Sequence, residues 1–75
     1  MKPSIIIDAK GLFCPGPIIK VAEAIRNIDS GLIVEVLSDD AAIQYDMPAW
    51  CESTGHIIKS MNREGKIYRY CIQKK

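Results

Sequence analysis

The fold is decided by residues 4–17, Ser4-Ile5-Ile6-Ile7-Asp8-Ala9-Lys10-Gly11-Leu12-Phe13-Cys14-Pro15-Gly16-Pro17. The β-branched run before Asp8 predicts a short buried strand. Gly11 then permits a tight or left-handed loop, and a helical pattern starts at the prolines, which suit the first turn of a helix. A strand that passes through a short loop into a helix is typical of the first unit of an α/β fold.

The segment after Pro17 predicts an amphipathic helix. Its apolar residues recur at spacings of three and four, and polar residues take the other face: Ile18, Val21, Ala22, Ile25 and Ile28 are apolar. Ser30-Gly31 is expected to end this helix. The alternating segment Leu32 to Ser38 then predicts a second strand, closed by Asp39-Asp40.

Pro48 limits the second helix, because a proline breaks a helix that runs through it. We therefore expect Asp46 to be the N-cap, Pro48 to lie in the first turn and the helix to end before Gly55, with residues 41–45 as a turn. The segments Ile57 to Asn62 and Lys66 to Gln73 then predict a β-hairpin around the loop 63–65.

The predicted order is βαβαββ. It fits a two-layer α/β (α+β) sandwich, with a four-stranded mixed sheet and both helices on one face. A chain of 75 residues has room for one domain, residues 1–75. So small a domain has no volume for an enclosed pocket beside its core, so we expect its chemistry at the surface, on something that a partner delivers.

Composition excludes several classes of function. Ten basic and nine acidic residues give a net charge of +1, which does not favour direct binding to nucleic acid. The apolar run near the N-terminus is too short for a signal peptide or a membrane span, so we expect a cytoplasmic protein without membrane association. We also expect a monomer. Three cysteines make a poor disulfide framework, and a reducing compartment keeps them as thiols.

Cys14 is the most informative residue because it immediately precedes Pro15 and the predicted helix. The free N–H groups and the dipole of a helix N-terminus stabilise an anion, so we expect an activated thiolate there. Lys10 would add to this effect if its loop folds back. Gly16 meets the steric restriction before Pro17 and would leave its N–H open toward the sulfur.

Packing is the alternative explanation for Cys14, since most free cysteines fill gaps in a core. The flanking Pro15 and Pro17 favour a reactive role, because a core cysteine has no need of two prolines at a strand-to-helix loop. Leu12 and Phe13 would form an apolar collar that a protein partner could cover.

The motif Asp8-Ala9-x-Gly11-Leu12-x-Cys14-Pro15-x-Pro17 resembles the signature of the TusA (SirA-like) sulfur-carrier family. The resemblance continues along the whole chain, through Gly31, Asp39-Asp40, Asp46-x-Pro48, Trp50-Cys51 and Gly55-His56. It implies a sulfurtransferase whose Cys14 accepts sulfane sulfur as a persulfide, with no cofactor besides that persulfide. The implied supporting residues are Asp8, Lys10 and Gly11, with Pro15, Gly16 and Pro17 at the helix start.

The same resemblance implies partners. The donor would be a cysteine desulfurase or a rhodanese-type protein, and the recipient a thiol-bearing acceptor in tRNA thiolation, cofactor synthesis or sulfur oxidation. The cysteines of this sequence agree with a carrier role. A carrier needs one exposed nucleophile and no second thiol nearby, since such a thiol would convert the persulfide into a disulfide. Phe13, Ala41 and Tyr45 depart from residues common in the family, and we expect them on the docking surface.

The remaining cysteines and the histidine have simpler interpretations. Core packing explains Cys51 and Cys71. With His56 the three cysteines could form a zinc set, but the chain lacks a closely spaced Cys pair. We expect a local capping or surface role for His56 rather than proton transfer.

Other polar and aromatic residues leave two alternative functions open. Asp39 and Asp40 are expected to hydrogen-bond the following turn, and the Lys74-Lys75 tail to be solvated. Tyr68 and Tyr70 could stack on bases in an RNA-binding or protein-binding regulatory module, although packing against the core is favoured. Redox sensing is the second alternative, and it would require a disulfide between Cys14 and another cysteine.

Overall fold

The computed structural model describes residues 2–75. Its elements follow the order β1, α1, β2, α2, β3, β4, so the predicted βαβαββ order is confirmed. The strands are Ile5–Asp8 (β1), Ile33–Ser38 (β2), Ile57–Glu64 (β3) and Ile67–Gln73 (β4), and the helices are Gly16–Arg26 (α1) and Ile43–Thr54 (α2). Neither helix in this part of the chain has the length and apolar character needed to cross a membrane.

The four strands form one mixed sheet in the order β1-β2-β4-β3. Strands β1 and β2 are parallel, with Asp8 paired to Leu37, and β4 runs antiparallel to both of its neighbours. Since the carboxyl ends of parallel strands meet at one edge of a sheet, the loop after β1 lies beside the loop after β2. This topology brings Cys14 close to Asp39 and Asp40.

Both helices pack on the same face of the sheet, as predicted. Helix α1 contributes Val21 and Ile25 to the core, and strand residues that alternate toward this face complete it: Val34, Val36, Tyr68, Tyr70 and Ile72. Tyr68 and Tyr70 are only 5% and 3% exposed. Their rings therefore belong to the core and are not available to stack on bases.

Helix α2 begins earlier than the sequence predicts, because Ile43 rather than a residue after Asp46 is its first residue. The expected turn covers residues 41–42 instead of 41–45, the Asp46 N-cap is wrong, and Pro48 lies inside the helix. Ile43, Met47 and Cys51 recur every four residues and are all buried. Packing of this stripe outweighs the single backbone hydrogen bond that Pro48 cannot donate.

Other boundaries differ by a few residues. Helix α1 ends at Arg26 instead of running to Ser30-Gly31, because Asn27 caps it with an N–H donated to the carbonyl of Ala24 and an amide donated to Glu23 O. The hairpin turn is two residues, 65–66, rather than the predicted loop 63–65.

Candidate functional site around Cys14

Cys14 is exposed in the loop between β1 and α1, where two acidic residues from elsewhere in the chain reach it. Its N–H donates to Oδ2 of Asp40 at 2.8 Å, and its Sγ donates to Oδ2 of Asp46. Asp40 follows β2, and Asp46 lies in the first turn of α2. The cysteine is thus held by three segments that meet at one edge of the sheet.

The two aspartates after β2 fix the loop that carries Cys14. Asp39 Oδ1 accepts the N–H of Gly11 at 3.0 Å, and Asp40 Oδ1 accepts the N–H of Ala42 at 3.0 Å. The N–H of Asp40 in turn donates to Oγ of the buried Ser38 at 3.1 Å. The predicted hydrogen bond to the following turn is confirmed for Asp40, while the bonds to the Cys14 loop were not predicted.

The carboxylates of Asp46 and Asp40 make the Cys14 thiol less acidic than an ordinary cysteine, whereas the sequence predicts a more acidic one. The hydrogen bond to Asp46, desolvation and the charges of Asp46 and Asp40, in decreasing order, raise the pKa of the Cys14 thiol above its ordinary value. Ionisation would break the S–H donation and place a negative charge beside two others. The prediction of a thiolate stabilised by the helix start is therefore wrong for the protein on its own.

The backbone at the helix start also differs from expectation. The N–H of Gly16 donates to the carbonyl of Phe13 at 2.6 Å, so it is not open toward the sulfur. Gly16 is already helical despite preceding a proline, and a Cβ there would lie 3.1 Å from Cβ of Leu12. Glycine therefore avoids the crowding that a side chain at this position would meet at Leu12.

The two prolines occupy the helix start as predicted. Pro15 is the N-cap of α1, the Cys14–Pro15 peptide bond is cis, and Pro17 is buried. Neither proline removes a hydrogen bond from the helix interior, because the first N–H groups of a helix have no intrahelical acceptor.

Asp40 has a lowered pKa for the opposite reason to Cys14. Its carboxylate accepts N–H bonds from Ala42, the larger effect, and from Cys14. Both bonds favour the charged form. Asp40 is therefore an anion at neutral pH and contributes to the negative potential at the sulfur.

Lys10 pairs with Asp8 and not with the sulfur of Cys14. Its Nζ is 3.8 Å from Oδ2 of Asp8, whose Oδ1 accepts the N–H of Lys10 at 3.0 Å. Gly11 has a φ of 85°, which confirms the predicted left-handed loop conformation. Asp8, Lys10 and Gly11 therefore shape the loop, and the cation expected to help Cys14 is occupied by Asp8.

The surface beside Cys14 is partly apolar. Phe13 is 83% exposed and Tyr45 is 73% exposed, whereas Leu12 packs against the core, so only Phe13 matches the predicted collar. A shallow surface depression borders the sulfur. It is lined by Cys14, Pro17, Ile18, Asp40, Ile43 and Asp46.

The other two cysteines lie away from this surface. Cys51 is 4% exposed in the core, as predicted, and burial raises its pKa to about 11. Cys71 is 6% exposed, but it faces the other side of the sheet, where its Sγ lies 3.6 Å from Oε1 of Glu35. Cys71 is thus buried without belonging to the main core cluster.

His56 has a local structural role. Its Nδ1 accepts the N–H of Lys75 at 3.2 Å, and its ring centroid is 5.2 Å from that of Trp50. Partial burial, and to a smaller extent the charges of Lys75 and Lys74, lower its pKa. Across residues 2–75, no three His, Cys, Asp or Glu side chains are grouped in a way that could hold a metal ion.

Comparison with known proteins agrees with this fold. Residues 5–74 match the family described as Sulfurtransferase TusA. Sulfur carrier protein TusA of Pseudomonas putida is 34% identical over 73 residues, covering 97% of this chain and 91% of that protein. YrkI of Bacillus subtilis is 40% identical over 74 residues, 99% of each chain. The crystal structure of a SirA-like protein from Desulfitobacterium hafniense superposes with a TM-score of 0.80 at 26% identity, over 92% of this chain and 95% of that one. The chain therefore belongs to the sulfurtransferase TusA family, and sulfur transfer is its general role.

Proposed function

We propose that this protein carries sulfur as a persulfide on Cys14, which it receives from a donor protein and passes to a thiol-bearing acceptor protein. One observation carries the proposal. Cys14 is exposed at the edge of the sheet where its loop meets the segment after β2 and the first turn of α2, whereas Cys51 and Cys71 are buried. Only Cys14 is open to a persulfide presented by another protein.

The transfer conserves atoms and electrons. The Cys14 sulfur attacks the outer, sulfane sulfur of the donor persulfide, a new S–S bond forms at Cys14, and the S–S bond of the donor breaks. The donor leaves as a thiolate and takes up the proton that Cys14 lost. In the second step an acceptor thiolate attacks the outer sulfur, and Cys14 leaves with a proton. Neither step requires an oxidant or a reductant.

Isolation of the thiol supports a carrier role. A persulfide beside a second accessible thiol is discharged as a disulfide. Cys51 and Cys71 lie in the core and on the far side of the sheet, so neither can attack a persulfide on Cys14 without unfolding. This arrangement favours a carrier over the redox-sensing alternative, which needs a disulfide partner for Cys14.

The partners and the setting follow from the same chemistry. We infer a cysteine desulfurase or a rhodanese-type protein as donor, because these proteins present a persulfide. The acceptor would belong to tRNA thiolation, cofactor synthesis or sulfur oxidation. The carrier would act as a cytoplasmic monomer without a cofactor other than the persulfide itself.

The proposal is tested by loading the protein with a cysteine desulfurase and cysteine, followed by peptide mapping under non-reducing conditions. We expect one added sulfur atom on the peptide that contains Cys14, and none after Cys14→Ser. Cys51→Ala is the matched control, because it removes a buried thiol and should load like the wild type. Loading of the Cys14→Ser variant equal to that of the wild type would overturn the proposal.

A further inference from the structure

In the described part of the chain, residues 2–75, no basic side chain forms an ion pair with the carboxylates around Cys14. Within residues 2–75 the ion pairs join Lys10 to Asp8 and Arg69 to Glu35, and neither involves Asp40 or Asp46. The chain as a whole carries a net charge of +1, so the negative charge beside Cys14 is local. An unpaired acidic site on a nearly neutral protein is complementary to a cationic group from outside.

Two exposed aromatic side chains accompany these carboxylates. Phe13 precedes Cys14 and is 83% exposed, and Tyr45 precedes Asp46 and is 73% exposed. Aromatic residues are enriched in protein interfaces, where Arg is the charged residue that joins them. We call Phe13, Cys14, Asp40, Tyr45 and Asp46 the Cys14 face.

We propose that the Cys14 face docks a protein surface that presents an Arg or Lys side chain to Asp46, and that this cation releases Cys14 for attack on the incoming sulfur. The inference rests on the proposed carrier function, and the partner that it describes is the sulfur donor. Such a donor would hold its cation beside its own persulfide, flanked by apolar surface that receives Phe13 and Tyr45.

The hydrogen bond between Cys14 and Asp46 explains why a cation is needed. In the protein alone, Asp46 accepts the S–H of Cys14 and keeps its proton in place. The direction of the Cys14 pKa, raised by Asp46 and Asp40, agrees with this geometry. Lys10, the basic residue of the same loop, lies 3.8 Å from Asp8 and forms no ion pair with Asp40 or Asp46.

A docked cation weakens both the hydrogen bond from Cys14 to Asp46 and the effect of the negative charges on the thiol. A guanidinium binds a carboxylate through two parallel hydrogen bonds, so Asp46 would exchange the thiol for the stronger donor. The positive charge would also stabilise the Cys14 thiolate. The proton of Cys14 then passes to the departing thiolate of the donor, which leaves the overall transfer balanced. Away from its partner the thiol stays neutral and resists alkylation and oxidation, which act on thiolates.

The charge preference is tested with two short disulfide peptides, Arg-Cys-Arg and Glu-Cys-Glu, each carrying thionitrobenzoate on its Cys. Attack by Cys14 on the disulfide releases the coloured thionitrobenzoate. We expect the cationic peptide to react at least about fivefold faster at low salt, the factor that one exposed charge pair in water supplies. The preference should shrink at high salt. Equal rates for the two peptides would overturn the inference, and this measurement needs no variant.

The variant Asp46→Asn tests the release of the thiol directly. The pH at which the rate of Cys14 alkylation by iodoacetamide is half-maximal should be lower in this variant than in the wild type. Each unit of pKa lost gives about tenfold more thiolate and about threefold less nucleophilicity, a net gain of about threefold at neutral pH. Glu52→Gln is the matched control, since it removes a carboxylate from an exposed position of the same helix and should behave like the wild type.

Slower alkylation of Asp46→Asn than of the wild type would show that Asp46 acts as a base for the thiol and would contradict the inference. Loading of Cys14 by a cysteine desulfurase is scored separately. A protein that loads at Cys14 without a preference between the peptides keeps the carrier function and loses only the cationic partner. A protein that prefers the cationic peptide but acquires no persulfide keeps the charge-selective face and loses the carrier function.

Discussion

Replacing Cys51 by serine should destabilise the protein more than replacing it by alanine. Cys51 is 4% exposed and lies on the buried stripe of α2 with Ile43 and Met47. A serine hydroxyl placed there without a partner costs about 1–3 kcal/mol. Alanine loses the burial of roughly one methylene equivalent, about 1 kcal/mol, and regains about 0.5 kcal/mol from its helix propensity. Cys51→Ser should therefore be less stable than Cys51→Ala by about 1–2 kcal/mol.

Urea unfolding followed by circular dichroism at neutral pH measures this difference. A 75-residue domain has a stability of roughly 4–11 kcal/mol at about 0.05–0.15 kcal/mol per residue, so the shift in midpoint is readily resolved. Cys71→Ser is the comparison, because its hydroxyl can keep the contact with Glu35, and it should cost less than about 1 kcal/mol. Equal stability of Cys51→Ser and Cys51→Ala would show that a hydroxyl at position 51 finds a hydrogen-bond partner, and it would contradict the prediction.

Three further predictions concern the segments that position the site. Folding lowers the pKa of Asp40, so its stabilising effect is present above about pH 4 and is lost as the pH falls through the folded value. The urea midpoint of the wild type should thus fall more steeply in acid than that of Asp40→Asn, and parallel curves would contradict this. Ser38→Ala removes the acceptor of the Asp40 N–H and should cost about 1–2 kcal/mol in the same assay, whereas an unchanged midpoint would contradict the role given to Oγ. Gly55→Ala should cost roughly 1–2 kcal/mol, because Gly55 ends α2 with a φ of 89° and a Cβ would meet Lys75 at 2.9 Å. A variant as stable as the wild type would contradict the strain expected for a side chain at this left-handed position.

The fold could be predicted from sequence because its signals are local. Alternation in β2 and β4 and the spacing of apolar residues in α1 each indicate an element by themselves. The start of α2 could not be predicted in the same way, since Pro48 argues for a late start. The helix starts at Ile43 because Ile43 and Met47 are buried, and this burial depends on tertiary packing.

The sequence also singles out Cys14, the exposed cysteine, but it does not predict the environment of that residue. Cys14 is marked by the prolines that follow it. Its contacts with Asp40 and Asp46 join residues 26 and 32 positions apart, and these carboxylates reverse the direction of its pKa. The available signal was topological: a parallel β1-β2 pair places the loops after both strands side by side, which brings Asp39-Asp40 to the Cys14 loop.

The most direct test of the carrier account is the release of a labelled sulfur atom. The protein is loaded from radiolabelled cysteine by a cysteine desulfurase, separated from that enzyme, and then offered a thiol acceptor such as glutathione. We expect the label to stay with Cys14 through the separation and to leave as hydrosulfide or acceptor persulfide when the thiol is added. Label that is absent from Cys14, or that remains bound after the thiol is added, would contradict it.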